Sequence, residues 1–595
     1  MCGIVGYNIF GKNALEMVLS SVQSLEYRGY DSAGASYVKN GKVFTKKTVG
    51  RVSNLQEICP KNEETQTAIA HTRWATHGGA VTANAHPHHV NNIALIHNGI
   101  IENYAEIKQT LQEKGCEFVS STDTEVISQF IAYNIKTKTV DVIIQEILTT
   151  FTGKFAIAFL IEGDETIYVA RSKGSPIVIG YLQNGHAVAS DFNALAPHTN
   201  KFAIVEDYEY AKLGKNSLVF YSKNGQIIEK VAKEYDIQQT SLTKDGFETF
   251  MFKEIYEQPD VIKTLVHNYV DGQKIVFPHF FGLQNFKKVV AIACGTSFYA
   301  CLLGKNLIEK YANIQVITSI SSEFHASKQF WEEDVLYVFA SQSGETADTI
   351  SAMEFVIANK AKSSKILSIL NYTHSSMSQK SDFVIQCFAG VEVGVASTKN
   401  FIAQAVIFYL LSIQNNKEFG KNIVDEIQQM PQIMENLLKN NNFHEQIKNV
   451  SGQIIKSKKV VYTGRTMLYP IACEGALKLS ELSYLIVQPI PSGEFKHGPI
   501  AIVDEFATII SLMHSGNLYD KTLSSNEEIR ARNGNVVEIS DSPNATISID
   551  GAKNLLHTYP VMLTIAVQLI SYYTAQMLGN DIDKPRNLAK SVTVE

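Results

Sequence analysis

The feature that most constrains this 595-residue chain is a strand–turn–helix unit that occurs twice in its second half. Lys288-Val289-Val290-Ala291-Ile292-Ala293 ends at Cys294-Gly295-Thr296-Ser297 and enters a helical pattern. Lys459-Val460-Val461-Tyr462-Thr463 ends at Gly464-Arg465 and does the same. Further on, residues 335–340 lead into Ser341-Gln342-Ser343-Gly344-Glu345-Thr346 and a helix, and residues 508–513 lead into His514-Ser515-Gly516 and a helix. Apolar strands buried on both faces belong in parallel sheets, and the repeated strand–helix order predicts two doubly wound α/β units.

The first 220 residues read differently. Short strands such as 93–97 and 155–160 alternate with helical patterns at 14–25 and 123–133, which predicts an α+β domain. The polar stretch 236–247 reads as a linker. Residues 424–439 read as a helical connector that ends at the boundary Asn440-Asn441-Asn442. The expected organisation is a first domain over 2–220, a linker over 221–247, α/β units over 248–425 and 445–585, and a tail over 586–595.

Lys+Arg 53 against Asp+Glu 59 leaves a net charge of −6, so nothing general attracts nucleic acid or an anionic membrane. No apolar run is expected to reach the roughly 20 residues that span a bilayer, and the N-terminus lacks a basic signal-peptide region. The expectation is a cytoplasmic protein. Seven cysteines, odd in number and without a CxxC pair, suggest neither a disulfide framework nor a zinc site.

One of them, Cys2, follows the initiator Met1. Removal of Met1 puts a thiol and a free α-amine on one residue, and an amine with an ordinary pKa of about 7.7–8.0 is a base near neutral pH. Downstream stand Leu25-Glu26-Tyr27-Arg28-Gly29-Tyr30-Asp31-Ser32-Ala33-Gly34, His71-Thr72-Arg73-Trp74-Ala75-Thr76-His77-Gly78, Asn84-Ala85-His86-Pro87, His97-Asn98-Gly99 and Thr122-Asp123-Thr124-Glu125. Together these segments resemble the glutaminase domain of the N-terminal-nucleophile amidotransferases, an αββα sandwich. The resemblance implies Cys2 as nucleophile and base, with the Asn98 side chain and Gly99 N–H as oxyanion donors. Arg73 would hold the α-carboxylate of L-glutamine and Asp123 its α-ammonium, Thr76 and His77 would complete the pocket, and Trp74 and the Arg28 loop would act as gates. The stretch Gly78-Gly79-Ala80-Val81-Thr82 departs from the family's usual His-Gly-Glu/Lys-Pro. The histidines 71, 77, 86, 88, 89 and 97 lack a metal-site spacing of cysteine or carboxylate ligands, so packing and hydrogen bonding are their expected roles and no metal is expected.

In the α/β half, the turns 294–297 and 341–346, with Gly394-Val395-Ala396-Ser397-Thr398-Lys399, resemble the sugar isomerase (SIS) domain. That implies a sugar-phosphate set of Ser297, Ser341, Gln342, Ser343 and Thr346. Glu474, Lys478 and Glu481 fall on one face of a predicted helix. These residues, with Gly493-Glu494-Phe495-Lys496-His497-Gly498-Pro499 and the tail 583–595, resemble the glutamine:fructose-6-phosphate aminotransferases over essentially the full chain.

By that resemblance His497 opens the ring of D-fructose 6-phosphate, and Lys590 forms a Schiff base with the ketone. Glu481 moves the proton between carbons 1 and 2, Lys478 and Glu474 assist proton transfers, and Val395 and Ala589 contact the sugar. No cofactor, pyridoxal phosphate included, is implied. A homodimer or higher homo-oligomer is, with His497 reaching a neighbouring site. Amidophosphoribosyltransferases and asparagine synthetases share the glutaminase, but their acidic and Ser-Gly-Gly motifs do not appear. A non-catalytic sugar-phosphate sensor built from SIS domains would need neither Cys2 nor the glutamate–lysine face.

Overall fold

A computed structural model describes residues 2–26, 29–61, 63–75, 77–234, 243–280, 282–516 and 518–592, which fall into two units: 1–241 with 591–595, and 242–590. Residues 235–242 of the expected linker, together with Arg28 and Thr76, lie outside the described residues.

Strand Gly3–Ile9 shows how the N-terminal unit is layered. Ile4 belongs to the core between two sheets, whereas Val5, Tyr7 and Ile9 pack with helix Ala14–Ser24 on the opposite face. The alternation follows from the two-residue period of a strand. Gly3–Ile9 lies inside an eight-stranded antiparallel sheet between Gly185–Ala189 and Thr67–Arg73. A seven-stranded antiparallel sheet stacks on it and carries Ile93–Gly99 paired with Phe155–Ile161. Helices Glu125–Asn134 and Val140–Thr150 cover the outer face of the second sheet, giving the expected α, β, β, α layers.

The second unit holds two five-stranded sheets, parallel throughout, with the same strand order. In the first, Lys288–Ala293 sits between Gln315–Ile320 and Val335–Ser341; in the second, Lys459–Gly464 sits between Val487–Pro491 and Ala507–Leu512. The duplication in the sequence is therefore a duplication of topology. The asparagine run is a helix junction: the Asn440 side chain accepts from the N–H groups of Asn442 and Phe443 and starts helix Asn441–Lys456 directly after Gly420–Lys439.

Two helices carry much of this core. Every residue of Lys399–Ile413 is buried. Helix Tyr559–Leu578 has 20 residues and a window of mean hydropathy 1.4, enough by length and composition to cross a membrane, but 83% of that window is buried inside the protein. It packs against Leu468–Ser483 and Asn441–Lys456. Thr564, Gln568, Ser571 and Thr574 interrupt its apolar pattern, and these polar side chains are buried too.

Candidate active sites

In the N-terminal unit Cys2 stands at the entry of a central strand. The register Gly3↔Thr72 brings the end of Thr67–Arg73 beside it. The Cys2 Sγ accepts the Trp74 N–H at 3.3 Å and lies 3.6 Å from the Trp74 carbonyl. From the other sheet, Asn98 Nδ2 donates to the Cys2 carbonyl at 3.0 Å. Burial pushes the Cys2 thiol up, while the Trp74 N–H and the Arg73 guanidinium pull it down.

Arg73 and Asp123 are nearly fully buried, and each is held by backbone. Arg73 donates to the carbonyls of His77 at 2.6 Å, Gly78 at 3.1 Å and Gly79 at 3.4 Å. The segment that departs from the family pattern thus orients the guanidinium. Asp123 accepts the Ile101 N–H at 2.8 Å. Gly99 has φ +118°, and a Cβ there would stand 2.0 Å from the Lys154 carbonyl oxygen, so only glycine fits at this strand end. The His77 ring packs edge-on to Tyr104, and Trp74 edge-on to Tyr30.

The histidines form a packed layer behind this site. His71 stacks on His86 at 4.2 Å, and His86 meets His88 at 4.9 Å. His71 Nε2 donates to the His97 carbonyl at 3.0 Å and to Asn98 Oδ1 at 3.1 Å, which orients the Asn98 amide toward Cys2. Burial lowers His71 to about 3, so the ring is neutral and keeps the proton on Nε2. This support for Asn98 was not anticipated from sequence.

In the second unit, turns 294–297 and 341–346 lie at the carboxyl ends of adjacent parallel strands, where the strand order reverses. Ligands of open α/β sheets sit at such points. Ser341 Oγ lies 3.2 Å from Thr346 Oγ1 and accepts the Gly344 N–H at 3.0 Å, and Ser343 Oγ accepts the Glu345 N–H at 3.1 Å. Gly344 has φ +66°, with the Ser375 hydroxyl 2.0 Å from where a Cβ would be. Helix Ala347–Asn359 starts immediately after, so its N-terminus adjoins the turn. Gln342 and Ser297 are half-buried, the latter in the first turn of Gly295–Leu307.

Helix Leu468–Ser483 buries Glu474 and Lys478 completely. Lys478 Nζ is 2.6 Å from Glu481 Oε2 and 3.8 Å from Glu474 Oε1, and Thr296 Oγ1 donates to Glu474 at 3.3 Å. Burial raises Glu474 to about 8 against the pull of Lys478; burial opposes the Lys478 ammonium, but Glu481 and Glu474 outweigh it and raise its pKa.

Lys590, near the C-terminus, has a side chain only 3% exposed; its Nζ lies 2.5 Å from Glu392 Oε2 and donates to the Gly394 carbonyl at 2.8 Å. Half-buried Ala589 precedes it, and Val395, buried one residue past Gly394, donates its N–H to the Asp583 carbonyl at 3.0 Å. His497 sits in an exposed turn, and its side chain makes no hydrogen bond or ion pair among the described residues. Sequence reasoning passed over Glu392, Glu254 and Asp583. A signal existed for Glu254: it shares the buried helical face of Met251 and Ile255, where a carboxyl is out of place.

Comparisons with known proteins agree with this division. Residues 71–197 match the glutamine amidotransferase domain, and 282–414 and 453–581 each match the SIS domain. Two proteins named glutamine–fructose-6-phosphate aminotransferase [isomerizing], from Aquifex aeolicus (strain VF5) and Brucella melitensis biotype 1, are each 37% identical to this chain, over 606 and 617 residues and over all of both chains. A solved structure described as the C-terminal domain of glucosamine-fructose-6-phosphate aminotransferase from Francisella tularensis is 32% identical with TM-score 0.53, covering 58% of this chain and 100% of that one.

Proposed function

The chain belongs to the isomerizing glutamine–fructose-6-phosphate aminotransferases, and from that premise we propose how its residues divide the work. The enzyme converts D-fructose 6-phosphate and L-glutamine to D-glucosamine 6-phosphate and L-glutamate, the entry to hexosamine synthesis. In our reading Met1 is removed and the Cys2 α-amine takes the thiol proton as the sulfur attacks the side-chain amide of glutamine. Asn98 Nδ2 and the Gly99 N–H stabilise the oxyanion, Arg73 binds the substrate carboxylate through its planar fork, and Asp123 binds the ammonium. His77 and Thr76 close the pocket.

In the second unit Ser297, Ser341, Gln342, Ser343 and Thr346 hold the sugar phosphate. Lys590 forms an imine with the ketone, Glu481 carries the proton between carbons 1 and 2, Lys478 and Glu474 set its protonation, and Val395 and Ala589 line the sugar. The burial of Lys590 carries this reading: a lysine so near a C-terminus is ordinarily solvated, and this one is held on a carboxylate and a carbonyl.

We further propose that ammonia passes from Cys2 to the sugar without mixing with bulk water, gated by Trp74, whose backbone touches the thiol. The Arg28 loop and the tail would couple sugar binding to glutaminase turnover. A homodimer or higher homo-oligomer would let the exposed His497 assist ring opening in a neighbouring subunit. The seven free thiols fit a reducing, cytoplasmic setting.

Two variants separate the sites. Cys2→Ala is expected to abolish glutamine hydrolysis and spare fructose 6-phosphate isomerisation. Lys590→Arg, which keeps the charge but cannot form an imine, is expected to stop synthesis. Wild-type synthesis by Lys590→Arg, or glutaminase turnover by Cys2→Ala, overturns the corresponding assignment.

A further inference from the structure

Glu392 is a buried carboxylate that no sugar contact or phosphate turn accounts for. Its Oε1 accepts the N–H groups of Thr398 at 2.9 Å and Asn400 at 3.2 Å, at the start of helix Lys399–Ile413, and its Oε2 accepts the Ser397 hydroxyl at 2.9 Å and faces Lys590 Nζ. The loop that carries it is gripped from several sides. Glu254, on helix Phe250–Tyr256, accepts the N–H groups of Val393 at 2.5 Å and Gly394 at 3.1 Å. Glu257 pairs with Lys399 at 2.6 Å, and Asp583 caps Phe250–Tyr256 through the N–H groups of Phe250 and Met251, both at 2.9 Å. Glu392 therefore occupies a fixed place, and Lys590 is aligned on it.

We propose that Glu392 is the proton partner of Lys590 in imine formation. It takes one ammonium proton as the freed amine attacks the sugar ketone, returns that proton to the departing hydroxyl, and remains as counter-ion of the iminium. The step balances. Of the three ammonium protons, one moves through Glu392 and one moves from nitrogen to the carbinolamine oxygen. Both leave in water with the ketone oxygen, while the third stays on the iminium nitrogen. The pair's net charge stays zero throughout, from ammonium–carboxylate through neutral amine and acid to iminium–carboxylate, so no unpaired charge is created in a dry site.

The surroundings fit this exchange. Burial works against the Glu392 carboxylate, but the Lys590 ammonium and its hydrogen bond, with Thr398 N–H and Lys399, hold it at about 2. Once the proton has moved to Glu392, the ammonium's contribution is gone and burial is left to favour the acid form. Adjacent Glu254, where burial and the Glu392 charge act together, stands at about 8. The other titratable groups whose charges bear on Glu392 are Lys399, Glu474 and Lys478 on two helices, and Cys387.

The inference rests on the imine role proposed for Lys590, and the test separates the two. In the full chain, supplied with glutamine and fructose 6-phosphate, Glu392→Gln is expected to lose about 10²-fold in kcat for glucosamine 6-phosphate, with KM for the sugar phosphate within about three-fold. Its kcat should rise with pH more steeply than that of the wild type, because solvent must then remove the proton. Glu392→Asp, which keeps the charge, should recover part of the rate and the wild-type pH dependence. If the Gln variant does not fold, the Asp variant decides: reduced kcat with retained KM supports the proposal, and wild-type kcat overturns it. Wild-type rate and pH profile in Glu392→Gln overturn it as well. Should Lys590→Arg be fully active, the imine reading itself fails, whatever Glu392 does.

Discussion

His71 does its work by remaining uncharged. Its Nε2–H fixes the Asn98 amide, and a proton on the ring would place a charge in a layer where His86, His88 and Arg73 are also buried. The folded ring titrates at about 3, against about 6.5 when unfolded. Above about 6.5 neither state binds the proton and the full stability is present; below it the unfolded chain gains a proton that the folded chain refuses, and stability falls toward pH 3. Each such histidine contributes a slope of up to about 1.4 kcal/mol per pH unit. Urea midpoints of the N-terminal unit should drop as pH falls below about 6.5; a level profile across that range would show that these rings titrate normally. The identities of Cys2, Arg73, Asn98 and Asp123 as candidates were legible in short motifs. The service of His71 to Asn98 was not, because it depends on strands of two different sheets meeting.

Among elements, helix Leu468–Ser483 was the most legible, since a spacing of four and seven residues fixes which side chains share a face. That Glu474 and Lys478 are fully buried was not legible, because an exposed salt-bridge ladder has the same spacing. Helix Phe250–Tyr256 is the opposite case: its local cap, Thr249, accepts only the Phe252 N–H, and the N–H groups of Phe250 and Met251 are accepted by Asp583, 333 residues further along the chain. No local signal announces that second acceptor. Asp583→Ala leaves these two N–H groups without it, and is expected to cost about 1–2 kcal/mol of stability in the second unit. Loosening the grip on the 392–400 loop should also lower synthesis more than glutamine hydrolysis. Equal losses in both activities would assign Asp583 to general stability alone.

At the scale of the whole molecule, the doubled α/β topology could be read from the sequence because both copies keep the same strand–turn–helix order. Their chemistry has diverged: where the first copy has the hydroxyl-rich turn 341–346, the second has Ser515, whose N–H and hydroxyl are both taken by Asp541. The claim that joins the units is that the nitrogen released at Cys2 is the nitrogen that reaches the sugar. Its most direct test is synthesis by the intact chain from amide-¹⁵N-labelled glutamine and fructose 6-phosphate, in excess unlabelled ammonium, with mass analysis of the glucosamine 6-phosphate. Full retention of ¹⁵N in the product is the predicted result. Dilution of the label by the ammonium pool, or no amino sugar at all, would contradict it.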